Sequence, residues 1–411
     1  MTDANLCSIR ASARRIVVKL GSNVLGAGSD RLNRAHLVEI VRQVAQLHHR
    51  GIEVAVVTSG AVLAGRERMG YPQRQGLARQ SLARQSSIPL RQMLAAIGQG
   101  RLMHLYEQFF DLYDILVAQI LLTADDFRNR QRYLNARDTL LGLLRERVVP
   151  IINENDTVAT DEIKVGDNDN LAALVVTLIE ADLLILLSDI KGLYTADPRL
   201  DPNAQLIEQV TQIDDAIWSV AGEGGTAHGT GGMRTKIQAA LQVQRAGAST
   251  IIADGCEPSV LLRIVDGERI GTHFLPQVVS ADTGEEASSI GLEGRKRWIL
   301  AGSHALGKVY VDQGAAVAIT QQGKSLLPVG VVSLAEHFER GETVRIFRQD
   351  AEIARGVIRY SSDELAQIKG LHSFQIREQL GYDYGDEVVH HNDMVILESG
   401  ERKVQERAHE Q

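Results

Sequence analysis

The sequence predicts an α/β fold built on a mainly parallel sheet, followed by a second, small β-rich domain. Between residues 15 and 275, short apolar runs of strand length alternate with longer segments of helical period, the pattern of βαβ crossovers. Aromatic residues make up only 4% of the chain, so its core is drawn from Leu, Ile, Val and Ala, which suits buried parallel strands flanked by helices. From Lys308 onward the apolar runs are short and divided by Gly, Asp and Gln, as in a small β domain. A chain of 411 residues also exceeds what a single core usually supports.

In chain order, the expected strands cover 16–20, 53–58, 115–122, 148–152, 183–187 and 250–253, each short and nearly all apolar. After Asn33, the residues Leu37, Ile40, Val41, Val44 and Leu47 form one stripe at a period near 3.6, and Gly51 closes that helix. Leu134, Leu140, Leu141 and Leu144 repeat the pattern. A helix is expected from Leu171, and another from near Thr235 carries Ile237, Ala240, Leu241 and Val243 before Gly247. In the β-rich part the expected runs are 309–311, 315–319, 344–347 and 353–359. The boundaries that follow are 1–276 for the first domain, 277–295 for a Ser-, Ala-, Gly- and Glu-rich linker, 296–380 for the β-rich domain and 381–411 for a C-terminal extension.

Composition removes several function classes. A formal net charge of −8 argues against a general nucleic-acid binder, which would carry a basic excess. Cys7 and Cys256 are the only cysteines and lie far apart, so neither a disulfide framework nor a CxxC pair is present, and a reducing compartment is expected. Residues 1–15 lack the apolar run of a secretory signal. The most apolar later stretch, 171–187, is interrupted by Glu180 and Asp182, so no membrane span is expected and the reading is cytoplasmic.

In open parallel sheets, ligands gather beyond the carboxyl ends of the strands. Here those positions are polar and glycine-rich: Lys19 to Ser22 after the first run, Thr58 to Gly60 after the second, Asn153 to Asp156 after the fourth, and Ser188 and Asp189 after the fifth. A lysine ending a strand can reach a phosphate, although many such lysines are merely solvated. The glycine-rich stretch 222–236 runs into a helix with Lys236 in its first turn. That arrangement fits a phosphate cradle, while its glycine content alone fits a flexible linker equally well. Residues 153–156 and 164–170 combine amides, which donate and accept, with carboxylates, a set suited to gripping both ends of an amino acid. The plain structural reading is that these Asn and Asp residues form turns and cap the helix from Leu171. Asp156, Asp167 and Asp169 raise the option of a hard metal site, but their spacing does not match an EF-hand loop.

Common nucleotide signatures fail. Gly26 and Gly28 are followed by Arg31 where a third glycine belongs, and Gly323-Lys324-Ser325 is preceded by Ala318 where a P-loop requires glycine. The tandem LARQS repeat over 77–86 reads as a surface loop or short helix, with a lid as the functional alternative.

Taken together, the runs VKLG (18–21), VTSG (57–60), LNARD (134–138), INEND (152–156), IKVGDNDN (163–170), KGLYTADP (191–198) and TGGMRTK (230–236) resemble the amino acid kinase family, and within it the branch acting on L-glutamate. The region after Lys296 resembles a PUA domain. The resemblance implies a three-layer αβα sandwich and a reaction of ATP with the γ-carboxylate of L-glutamate. Carried over by position, it implies that Lys19 and Lys236 stabilise the phosphoryl group and that Asp169 orients both lysines. Ser59, Asp156 and Asn168 would hold the acceptor. Lys19, Ser188, Asp189, Thr230, Gly231, Gly232, Met233, Arg234, Thr235 and Lys236 would bind ATP, with Mg2+ as cofactor and no protein position assigned to it. It also implies inhibition by proline near the acceptor site and a homodimer or homotetramer. Two departures stand out: the 77–86 repeat lengthens a loop that is shorter in some relatives, and Ser188 stands where Thr is also seen.

Two alternatives remain open on sequence. A sibling kinase would act on N-acetylglutamate or aspartate. An RNA-binding role would rest on the PUA-like part, yet residues 296–411 hold 14 Lys plus Arg against 17 Asp plus Glu, a balance of 14 − 17 = −3.

Overall fold

The computed structural model describes residues 13–29, 31–70, 88–158, 168–198, 200–221, 232–276 and 307–397. The 77–86 repeat, the 277–295 linker and the polar tail from Glu398 lie outside those residues. The chain divides into two compact units, residues 1–129 with 136–279 and residues 130–135 with 280–411.

The first unit opens with β1 (Arg15–Leu20), the short helix α1 (Ser22–Gly26) and α2 (Arg34–His49). The Asn33 side chain caps α2 by accepting from the His36 backbone N–H, and all five residues of the expected stripe are buried. Then come β2 (Glu53–Thr58), α3 (Ala61–Met69), α4 (Ile88–Asp111), β3 (Val117–Leu122), α5 (Ala124–Arg128), α6 (Arg130–Arg145, whose residues 130–135 group with the second unit) and β4 (Val149–Glu154). The series continues through α7 (Asn168–Ile179), β5 (Leu183–Ser188), β6 (Gln209–Val210), α8 (Asp215–Val220), α9 (Met233–Arg245), β7 (Ser249–Asp254), α10 (Val260–Val265) and β8 (Thr272–Phe274).

These strands form one eight-stranded sheet in the order β3-β4-β2-β1-β5-β7-β8-β6. All its pairings are parallel except that of β7 with β8. Side chains alternate across β1. Ile16, Val18 and Leu20 enter a core with Leu37 and Ile40 of α2 and Ile264 of α10. Val17 and Lys19 therefore face the other side, where α7 packs against β1, and α9 against α7 and β7. Helices on both faces of the sheet make the three layers. β1 lies between β2 and β5: the chain winds from β1 toward β2 and later crosses to β1's other flank. That reversal makes the carboxyl end of β1 the switch point at which open sheets bind ligands.

Helices α3 and α4 cross at backbone contact. A Cβ on Gly98 would lie 1.8 Å from the Ala61 carbonyl oxygen, and one on Gly65 would lie 2.0 Å from that of Leu94. No side chain fits there, so both positions must be glycine and the place of α4 is fixed.

The second unit contains β9 (Lys308–Val311), α11 (Gln313–Gln322), β10 (Val331–Ala335), β11 (Thr343–Arg348), β12 (Ala351–Val357), α12 (Ser362–Ile368), α13 (Ile376–Leu380) and β13 (Met394–Ile396). Its five strands are ordered β10-β9-β11-β12-β13, around a core that includes Val309, Ile319, Phe338, Ile346 and Tyr360. The segment beyond residue 380 contributes β13 to this sheet.

Three expected elements are corrected. The run 315–319 is not a strand but lies within α11, because the Asp312 side chain accepts from the Ala315 N–H and starts a helix that Gly323 ends in the left-handed region. β3 starts at Val117 rather than residue 115, after a turn in which Asp114 has φ of +55°. α7 starts at Asn168, three residues earlier than expected, so Asn168 and Asp169 belong to its first turn.

Candidate active site

The periodicity of β1 turns Lys19 toward the α7 and α9 layer, one residue before the strand ends at the switch point. The first turn of α7 brings Asp169 to it and the first turn of α9 brings Lys236. Lys19 Nζ lies 2.6 Å from Asp169 Oδ1, and Lys236 Nζ lies 3.1 Å from Asp169 Oδ2. The Thr235 hydroxyl stands 2.9 Å from the same Oδ2. Lys19, Asp169 and Lys236 keep only 3%, 0% and 7% of their accessible surface, so three charges share one desolvated site. Burial works to raise the pKa of Asp169, but the two ammonium groups outweigh it and hold the carboxyl well below the usual carboxylate range. A cation at a helix N-terminus is opposed by the helix dipole, and Asp169 is what compensates Lys236 there. The cluster carries two positive charges and one negative, a net +1 suited to an anion.

Next to it stands a neutral group. Asn168 Nδ2 lies 2.7 Å from Ser59 Oγ, 3.2 Å from the Thr58 carbonyl oxygen and 3.2 Å from Asn153 Oδ1. Its two N–H groups are thus shared among three acceptors, while Asn168 Oδ1 has no hydrogen-bond partner among the described residues. Gly60, which follows Ser59 and precedes α3, has φ of +99°, a value that favours glycine and turns the chain sharply after β2. Asn153, one residue before β4 ends, keeps 2% of its surface exposed. Its Oδ1 also accepts from the Glu154 N–H, and its Nδ2 donates to Gln99 Oε1 at 2.9 Å. Asp156 lies in the turn after β4, half-buried on the same edge of the sheet.

On the other flank of β1, Ser188 ends β5 and Asp189 follows it. The Asn23 amide donates to Asp189 Oδ2 at 3.0 Å, and Ser188 Oγ lies 3.2 Å from Asp189 Oδ1. Gly232 is the N-cap of α9, Met233, Arg234 and Thr235 form its first turn with Lys236, and Arg234 sits over the Trp218 ring. Thr230 and Gly231 lie outside the described residues. The arrangement is a buried cationic centre flanked by an amide-rich subsite on the β2 and β4 side and a Ser/Asp subsite on the β5 side. Such a layout can bind an anion between two ligands.

The model of the amino acid kinase family matches residues 14–254, the span that holds all of these groups. The chain belongs to the amino acid kinase family. The PUA domain model matches residues 307–380. The glutamate 5-kinase of Herpetosiphon aurantiacus is 52% identical over 384 residues, covering 93% of this chain and 98% of that protein. The glutamate 5-kinase of Deinococcus radiodurans is 50% identical over 93% of this chain and 100% of its own length, and that of Shewanella oneidensis is 49% identical over 93% and 98%.

Within this amino acid kinase fold, two groups beneath the amide subsite left no mark in the sequence. Gln99 and Tyr106 both lie on α4. Gln99 reaches Asn153, and the Tyr106 hydroxyl lies 2.7 Å from Thr58 Oγ1. Together with Leu102, whose Cδ2 would lie 4.0 Å from a Cβ on Gly60, they form an i, i+3, i+7 stripe. Such a stripe is common to helices packed on a sheet and does not single out Gln99 or Tyr106. Among the described residues, no helix is long and apolar enough to cross a membrane.

Proposed function

We propose that this protein transfers the γ-phosphoryl group of ATP to the side-chain carboxylate of L-glutamate, yielding ADP and L-glutamyl 5-phosphate, the opening step of proline biosynthesis. The observation that carries the reading is the buried Lys19–Asp169–Lys236 cluster at the switch point of an amino acid kinase fold. Full-length relatives at about half identity carry that enzyme name.

The acceptor carboxylate has a reference pKa of about 4.3 and is ionised at neutral pH, so no general base is required. The obstacle is repulsion between an anionic nucleophile and an anionic phosphate. One carboxylate oxygen forms a bond to the γ-phosphorus as the bond to the β,γ-bridging oxygen breaks, and ADP leaves with that electron pair. Lys19 and Lys236 bracket the migrating group and offset its charge in a site where water no longer screens them. Asp169 holds each ammonium by a separate oxygen, which fixes their spacing before substrate arrives.

Ser59, Asp156 and Asn168 are assigned to glutamate. The unpartnered Asn168 Oδ1 is an acceptor suited to an ammonium group. Ser188, Asp189 and residues 230–236 are assigned to ATP. Both oxygens of Asp169 are engaged by ammonium groups, so Mg2+ would enter with the phosphates of ATP and would offset their charge there. We assign the enzyme to the cytoplasm, as a homodimer or homotetramer inhibited by proline in competition with glutamate.

The test is ADP release with Mg-ATP and L-glutamate, N-acetylglutamate, aspartate or no acceptor, with hydroxylamine present to trap acyl phosphate. Hydroxamate from glutamate alone is expected. Turnover with only another acid would keep the fold and move the substrate.

A further inference from the structure

Asn168 Oδ1 is buried and left without a hydrogen-bond partner only because its amide nitrogen takes up the neighbouring acceptors, and what orients that amide includes a hydrogen-bond chain rooted in α4. Resting on the function proposed above, we propose that Gln99 is a positioning residue that sets the polarity of the glutamate subsite by orienting Asn153 and, through it, Asn168.

An amide side chain can be rotated by half a turn with little change in shape, so only its partners decide which end faces where. The Asn153 amide is deeply buried and its two ends meet opposite demands. Its oxygen accepts from the Glu154 N–H and from Asn168 Nδ2, and its nitrogen donates to Gln99 Oε1. Rotating it would bring its nitrogen against two donors and its oxygen against the Gln99 oxygen, losing every one of those bonds. With Asn153 locked, its oxygen joins Ser59 Oγ and the Thr58 carbonyl in drawing Asn168 Nδ2 inward. Asn168 Oδ1 is then the buried acceptor left without a partner beside the proposed glutamate subsite.

Gln99 is the one member of this chain on α4, and its neighbour Gly98 fixes that helix by backbone contact with Ala61 of α3. The position of the Gln99 amide is therefore set by the packing of α3 on α4, independently of β4. Because Gln99 forms no hydrogen bond with Lys19, Asp169 or Lys236 among the described residues, its effect falls on acceptor binding rather than on phosphoryl transfer.

The experiment compares Gln99→Met, which keeps length and removes the acceptor, with Gln99→Glu, which keeps an acceptor oxygen, in the full chain. Wild-type hydroxamate formation with glutamate is measured first and bears on the proposed function alone; its absence would overturn that reading and this one with it. For Gln99→Met, KM for glutamate is expected to rise about tenfold, the loss of one buried hydrogen bond to an amide whose orientation is then unset. KM for ATP, kcat and the unfolding midpoint are expected to stay near wild type, and Gln99→Glu to recover most of the change in KM. An unchanged KM for glutamate in Gln99→Met would overturn the proposal. So would parallel rises in both KM values with a lower unfolding midpoint, since that pattern belongs to a helix that merely packs less well.

Discussion

Around Asp169 the buried groups are fully charged, whereas around Asn168, its immediate neighbour on α7, they are amides and hydroxyls. One turn of helix thus feeds two environments. In the charged half, removing three ions from water is costly and is offset by direct contacts that include those of 2.6 and 3.1 Å. In the neutral half each contact is worth less, but each has a direction that depends on the next group in the chain. The difference implies a division of labour. Full charge stabilises what develops during transfer, and oriented amides select what is bound beforehand.

The sharpest way to break that division is to remove a lysine. Lys19→Ala and Lys236→Ala are each expected to lower kcat on the order of 10²–10³-fold, the scale seen when one preorganised donor to a developing charge is lost. KM for glutamate should move far less, because the subsite proposed for it is built around Asn168 rather than around the lysines. Steady-state kinetics with glutamate varied at saturating ATP would decide it. A variant that kept its kcat and lost only glutamate affinity would place the lysines in the selecting half.

Asp169 tests the same contrast through stability. Asp169→Asn preserves size but leaves two buried ammonium groups facing each other, and is expected to cost about 3–5 kcal/mol at neutral pH. The native carboxyl titrates below its unfolded value of about 3.9, so the unfolded chain binds that proton more readily as pH falls. The stabilisation by Asp169 is then fully present above about pH 5 and declines as pH falls through the unfolded value toward the native one. Denaturant midpoints of wild type and Asp169→Asn should differ by a constant amount from neutral pH down to about pH 5 and converge below about pH 4. A gap that persisted unchanged into that acidic range would mean the charge of Asp169 is not what stabilises the site.

The two halves also differ in how much of them the sequence shows. Lys19, Ser59, Ser188 and the 153–156 cluster stand out because each is a polar residue directly after an apolar run, and parallel strands place such residues on one edge. Asn168 and Asp169 were visible as chemistry but misplaced as structure. Helix caps and first-turn residues draw on the same residue types, so their composition alone did not distinguish a cap from α7's own first turn. Gln99 and Tyr106 were not legible at all. They meet Asn153 and Thr58 across 54 and 48 residues of chain, and what brings them there is the Gly65–Gly98 crossing of α3 and α4. A contact fixed by two helices pressing backbone to backbone has no local signature. The 315–319 run failed for the opposite reason: its apolar residues fit either period, and the Asp312 cap outside the run decided for helix.

Tyr106 offers the finest test of the neutral half. Its hydroxyl and that of Thr58 are both buried, and Thr58 Oγ1 also lies 3.0 Å from the Ser59 carbonyl oxygen. Tyr106→Phe therefore leaves Thr58 with a remaining acceptor, and the expected loss is only about 1 kcal/mol of stability, the net worth of one neutral hydrogen bond. Burial pushes the Tyr106 hydroxyl above its ordinary pKa, against a smaller downward pull from Thr58, so it stays protonated throughout the working range. The difference between wild type and Tyr106→Phe should accordingly be flat from about pH 6 to 9, where an ionising tyrosine would begin to make it slope. KM for glutamate should shift less than in Gln99→Met, because Asn168 binds the Thr58 carbonyl rather than its hydroxyl. If Tyr106→Phe instead raised that KM as much as Gln99→Met does, the selecting half would answer to the whole face of α4 rather than to the orientation of one amide.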